Sequence, residues 1–294
     1  MEIRLLGPVE IKNDHDSPVR LERAAQRGLL AALALRAGRL VSADTLIGCV
    51  WDGDPPEKAP ETLAHYVRAV RAALTGAGAE PGVLANRRLT GYELHVPPEA
   101  VDYHRFAALV RDAARETSDA ESAHLYTRAI DLWRGDALAD VGTDWAERQA
   151  HRMRQELTDA SCALFRRQMA MGAHAAAASG VTALLTEVTP TDEIITIGLE
   201  ALAHSGRHAD IEQFLTDATT RMWRLAAARP SEAIRTLASR LTTDPPTAHR
   251  PPRESHDSQD VDHESHGRVQ QTATNCGNAY QAGRDQYVSI PRYH

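Results

Sequence analysis

Lysine is almost missing from this chain: of its 33 basic residues only Lys12 and Lys58 are not arginine. That skew, with alanine dense in every segment except the tail, reflects a GC-rich genome more than a function. Basic charge as a whole is also short. A net charge of −7 over 294 residues excludes general affinity for polyanions, which rests on many phosphate-neutralising cations. Any nucleic-acid site must therefore be local. Cysteine is scarce, and Cys49, Cys162 and Cys276 are an odd number without CxxC spacing, which excludes a disulfide framework and a zinc cluster. Apolar runs such as residues 29–35 fall far short of the roughly 20 residues that span a bilayer. No basic segment precedes an apolar stretch at the N-terminus and no small-residue cleavage site follows, so a cytoplasmic protein without a membrane partner is expected. Walker, GxSxG and HExxH sequences are absent, as are paired catalytic carboxylate motifs, so neither an enzyme nor a cofactor is expected.

What is present changes character along the chain. Residues 3–12 form short apolar stretches broken at Gly7-Pro8, which reads as two strands around a turn, with residues 19–21 as a third. A helical period begins at Ala24 and ends at Gly38; Ser42 is placed to cap a second helix whose face is Leu46, Ile47, Val50 and Trp51. The segment Asp52-Gly-Asp-Pro-Pro56 stops it, a third helix follows over 59–74, and residues 84–96 read as two strands around Thr90-Gly91. Strands, three helices and a hairpin describe a winged helix-turn-helix over residues 1–98.

After Pro97-Pro98 the pattern is helical, with helices expected over 102–116, 119–133, 145–171, 173–187, 191–204, 209–223 and 231–241. Their lengths and glycine or proline punctuation fit an all-α, tetratricopeptide-like domain over 99–243, although no clean 34-residue period aligns. This part carries 16 basic and 21 acidic residues, against 12 and 12 in residues 1–98. Residues 244–271, rich in Pro, His, Ser and acid, cannot bury enough apolar area to offset chain entropy and read as a disordered linker. Residues 272–294 regain alternation and are expected to form a small hairpin. The tail histidines His256, His263 and His266 read as solvated rather than as a metal site, and no metal is assigned. The fold class is thus mainly α with a small β component.

On a helical wheel the third helix puts Leu63, Val67, Val70 and Leu74 in one apolar stripe, with Glu61, His65, Arg68 and Ala72 opposite and Arg71 on the flank. The stripe belongs to the core. The opposite face is where a recognition helix meets the major groove: Arg68 has donors for guanine or phosphate, and His65 can donate to a base acceptor. Arg87 and Arg88 on the hairpin would lie beside the backbone as a wing.

The stretches Leu5-Leu-Gly-Pro-Val-Glu-Ile, Gln26-Arg-Gly-Leu-Leu-Ala-Ala-Leu, Gly38-Arg-Leu-Val-Ser-Ala-Asp-Thr-Leu-Ile, Val50-Trp-Asp-Gly-Asp-Pro-Pro, Thr62-Leu-Ala-His-Tyr-Val-Arg-Ala-Val-Arg and Thr90-Gly-Tyr-Glu-Leu resemble the Streptomyces antibiotic regulatory protein family. The resemblance covers about residues 1–243. It implies an OmpR-type winged helix joined to a bacterial transcriptional activation domain, in an activator of secondary-metabolite genes. It also implies partners: double-stranded DNA bound at direct repeats, RNA polymerase, and a second copy of the chain on tandem repeats. The DNA-binding residues would be Thr62, His65, Arg68, Arg71, Arg87 and Arg88, and the loop residues Asp52, Asp54 and Glu57 would face RNA polymerase. The chain departs from the family pattern at Glu61, usually Asn, at Ala69, usually Arg, and at Ala25, often Lys. A rival reading is a helical-repeat interaction scaffold whose winged helix no longer binds DNA, which predicts an apolar face where the DNA reading predicts a continuous positive one.

Overall fold

The computed structural model describes residues 1–87 and 91–243; Arg88, the expected linker and the expected tail hairpin lie outside the described residues. Three short antiparallel strands open the chain, β1 (Glu2–Arg4), β2 (Glu10–Lys12) and β3 (Pro18–Val19), in the order β1-β2-β3. Ile3 pairs with Ile11 and Ile11 with Val19, so both isoleucines turn into the core from one face of the sheet. Helices α1 (Ala24–Ala34), α2 (Ala43–Trp51) and α3 (Ala59–Gly76) follow. The Ser42 hydroxyl accepts from the Thr45 amide at 3.1 Å, which caps α2.

The wing is built from β5 (Leu84–Arg87) and β6 (Gly91–Leu94), joined by a strand that sequence reading did not expect, β4 (Leu40–Val41), in the order β4-β6-β5. Two residues are too few to show alternation. Gly91 explains the hairpin's glycine: its φ is +144° and a Cβ there would overlap the Val41 carbonyl of β4, a conformation and a closeness that only glycine permits.

The remaining helices are α4 (Asp102–Arg115), α5 (Asp119–Ile130), α6 (Asp144–Ala170), α7 (His174–Glu187), α8 (Asp192–His204), α9 (Ile211–Ala226) and α10 (Glu232–Thr243). Ser118, Thr143 and Thr191 cap α5, α6 and α8 by accepting backbone N–H groups of Glu121, Ala146 and Ile194. None of the described helices is long and apolar enough to cross a membrane.

Apolar side chains gather in two clusters that do not divide at Pro98. Val101, Leu138, Val141, Trp145 and Ala146 complete the cluster of the winged helix, whereas Leu6 belongs to the helical cluster. Polar contacts seal the same seam. Asp102, 1% exposed, accepts from the amides of Leu5, Leu6 and Tyr103 at 2.7, 3.1 and 2.7 Å. Burial raises its pKa, opposed by these amides and by Arg134. In the segment between α5 and α6, the amides of Arg134 and Leu138 donate to the carbonyls of Leu6 and Leu5, while Asp140 accepts from the Val9 amide at 2.9 Å and pairs with Arg27 at 2.7 Å.

Candidate nucleic-acid interface

Pro60 sits in the first turn of α3, where a missing N–H costs nothing. Glu61 is in that turn too, and a carboxylate there is favoured by the helix dipole, which gives the acid a role in the helix itself. Leu63, Tyr66, Val67, Val70 and Leu74 are buried while Glu61, His65, Arg68 and Ala72 are exposed, so the amphipathic division expected from the sequence is present. Tyr66 stacks on Trp51 at the end of α2, with ring centroids 5.8 Å apart. This contact fixes the turn of α3 that carries His65 and Arg68. The Thr62 hydroxyl donates to the Lys58 carbonyl at 3.0 Å, so its proton closes the helix's first turn.

The candidate arginines have different surroundings. Arg68 is exposed and has no hydrogen bond or ion pair among the described residues. Arg71 is half-buried, and its Nε and one terminal nitrogen donate to the Leu84 carbonyl at 3.1 and 2.8 Å. Its guanidinium therefore ties α3 to the first strand of the wing through two of its nitrogens. Arg87 reaches across the hairpin to Glu93 at 2.9 Å, and that hydrogen bond holds the Glu93 carboxyl below the usual carboxylate range. Since Ala85 is the residue paired with Glu93, the ion pair runs diagonally over one face of the wing. One cation of the expected positive face, Arg87, is thus paired within the wing.

The loop between α2 and α3 carries the three candidate acids, Asp52, Asp54 and Glu57. Asp52 ends α2 in the left-handed region, φ +50°, and its two carboxylate oxygens accept from the amides of Asp144 at 2.7 Å and Trp145 at 3.0 Å. It caps α6 from the other half of the chain. Next to it the Thr143 hydroxyl donates to the Cys49 carbonyl at 3.3 Å. Asp54 and Glu57 are exposed, without a side-chain hydrogen bond or ion pair among the described residues. Of the three acids expected to face a partner, Asp52 is already engaged within the protein.

Asp102, Arg27, Arg134 and Asp140, which hold the winged helix against the helical half, were not foreseen from sequence. Their partners lie about a hundred residues away, so no local spacing could have revealed them.

Comparison with known proteins assigns both halves. Residues 16–94 match the family described as transcriptional regulatory protein, C terminal, and residues 101–242 match the bacterial transcriptional activator domain. The regulatory protein AfsR of Streptomyces coelicolor is 31% identical over 252 residues, which is 83% of this chain and 24% of AfsR. The regulatory protein DnrI of Streptomyces peucetius is 34% identical over 149 residues, 48% of this chain and 54% of DnrI. The chain thus spans about a quarter and about half of these two relatives. Among solved structures, Mycobacterium tuberculosis EmbR in complex with a low-affinity phosphopeptide superposes with a TM-score of 0.74 at 27% identity, covering 83% of this chain and 65% of that one.

Proposed function

This chain belongs to the Streptomyces antibiotic regulatory protein family, and from that premise we propose that it is a sequence-specific DNA-binding activator of secondary-metabolite genes. The observation that carries this reading is α3, an amphipathic helix whose buried stripe docks on the core and whose opposite face offers His65 and Arg68 to solvent. Arg68 supplies the direct contact to a base edge or phosphate, His65 a second donor, and Thr62 packs at the helix start. Arg71 acts through the wing it holds, and Arg87 and Arg88 are assigned as contacts to the sugar-phosphate backbone. With few cations on this face, affinity rests on shape and a small number of contacts, so binding should depend on salt more weakly than for a strongly basic domain.

Residues 1–98 form the DNA-binding part and 99–243 the activation domain in this reading. Asp54 and Glu57, on a loop stiffened by Pro55 and Pro56, are the contacts for RNA polymerase. The acidic helical part repels DNA and pairs protomers on adjacent direct repeats, so that two modest affinities combine through effective concentration. The test starts by sequencing DNA recovered with the protein from cells and then measures Arg68→Ala on the recovered site and on base-substituted versions. A loss of roughly 1–3 kcal/mol with relaxed preference at one position is expected for a base contact. No enrichment of any sequence, with an unaltered Arg68→Ala variant, would leave the interaction scaffold as the better reading.

A further inference from the structure

A groove with a cavity volume of about 520 Å³ runs between α7, α8 and α9, away from α3. Sites for small molecules commonly fall between about 300 and 1,000 Å³. Its floor is apolar, made by Leu185, Leu202, Phe214 and Ala218. Phe214 lies directly on α8 because residue 198 is glycine: a Cβ there would overlap the Phe214 ring. The floor is thereby held flat against a helix backbone.

The charges along the rim do not cancel. Arg207 is paired with Asp210 at 2.7 Å, which removes both from the balance. Asp217 accepts from the Gln213 side-chain amide at 2.9 Å and is paired with no cation among the described residues. Against it stand two cations. The Arg221 Nε donates to the Val188 carbonyl at 2.9 Å, which anchors the guanidinium with no further partner among the described residues. Arg224, three residues on and therefore on the same helix face, is exposed and has no hydrogen bond or ion pair among the described residues. The groove is left with one excess positive charge inside a segment, 99–243, that carries 16 basic against 21 acidic residues.

We propose that this groove binds an amphipathic monoanion, a small molecule with an apolar body that lies on Phe214 and Leu202 and a single carboxylate-type group held by Arg221 and Arg224. A cation of the same shape would meet those guanidinium groups unfavourably, and a polyanion would be repelled by the surrounding acidic surface. A bidentate, charge-assisted pair to arginine supplies direction as well as energy. Occupancy would bridge three helices of the activation domain, giving it an effector site. The inference does not depend on the DNA reading, since binding can be measured without DNA.

The probe is decanoate, titrated calorimetrically into the full chain below its micellar concentration, with decyltrimethylammonium as the oppositely charged comparison. One saturable decanoate per chain is expected, with no saturable binding of the cation. Arg224→Glu reverses an exposed side chain that makes no hydrogen bond or ion pair among the described residues, so the fold should persist, as circular dichroism would verify, while decanoate affinity falls at least tenfold. Arg221→Lys, which keeps the charge but loses the fork, should weaken binding less. Non-saturating uptake, equal binding of the two detergents, or unaltered affinity in Arg224→Glu would each overturn the proposal.

Discussion

Substituting Asp52 separates its structural work from contact with a partner. Its carboxylate caps α6 through the Asp144 and Trp145 amides, and losing an N-cap of this kind costs about 0.5–2 kcal/mol. The residue also sits at φ +50°, where Asp and Asn are tolerated but a Cβ without a polar group is penalised by roughly 1 kcal/mol more. Asp52→Ala therefore loses the cap and gains strain, a total of about 1.5–3 kcal/mol. Asp52→Gly loses the cap but relieves the backbone, so about 0–1 kcal/mol is expected. Asp52→Asn keeps one acceptor and the backbone preference and should cost about 0.5–1 kcal/mol. For a folded part of this size each kcal/mol moves the melting temperature by about 2–4 °C, so the alanine variant should melt roughly 3–12 °C lower. Thermal unfolding of the full chain gives the ranking, and hydrogen exchange at the Asp144 and Trp145 amides reports the cap directly. If alanine melts with the parent and those two amides exchange no faster, the carboxylate is free in solution and the capping argument is wrong.

Three further outcomes are expected. Asp54→Ala combined with Glu57→Ala should lower transcription in a reconstituted system while leaving DNA affinity intact; unchanged transcription would remove this loop from polymerase contact. Arg71→Met loses two charge-assisted donors to the Leu84 carbonyl and should cost about 1–2 kcal/mol in urea unfolding, with faster amide exchange across β5 and β6 as the sign that the wing has loosened. His174 is held below the ordinary imidazole value by burial and by His204, whose ring stacks on it at 5.0 Å. A native value below the unfolded one means that its contribution is present above about pH 6.5 and is lost as pH falls through the native value. The melting temperature should accordingly drop on acidification below that point, and less steeply in His174→Gln.

Local chemistry accounts for what could be read from the sequence. Ser42 marks a helix start because a hydroxyl at that position satisfies an amide one turn on, and the 3.6-residue period located the buried stripe of α3. The same wheel put Arg68 opposite that stripe and Arg71 on its flank. It could not show the partner of Arg71, the Leu84 carbonyl, which the wing brings against α3. Asp52 likewise reads as one more loop acid until α6 begins beside it. Strand β4 was invisible for a different reason: Leu40 and Val41 become a strand only through pairing with Glu93 and Tyr92.

Pro97-Pro98 marks where strands give way to helices, but packing ignores it. Cutting the chain there would remove Val101, Leu138, Val141, Trp145 and Ala146 from the core around α1 and α3. Large apolar side chains in such positions contribute about 1.5–3 kcal/mol each, so the loss is comparable with the roughly 5–15 kcal/mol by which a domain is stable at all. A fragment ending at residue 98 would therefore report its own unfolding instead of the activity of an isolated DNA-binding part. The same contacts form a physical route between the halves: the start of α6 is held by Asp52, Asp52 ends α2, and Trp51 of α2 stacks on Tyr66 beside His65 in α3. Such a chain of packed groups is a route for coupling, and coupling energies spread over several contacts are measured by paired substitutions. Asp52→Asn combined with Trp51→Leu should shift DNA affinity by an amount different from the sum of the single changes. Strict additivity would mean that the helical half supports α3 without setting its position.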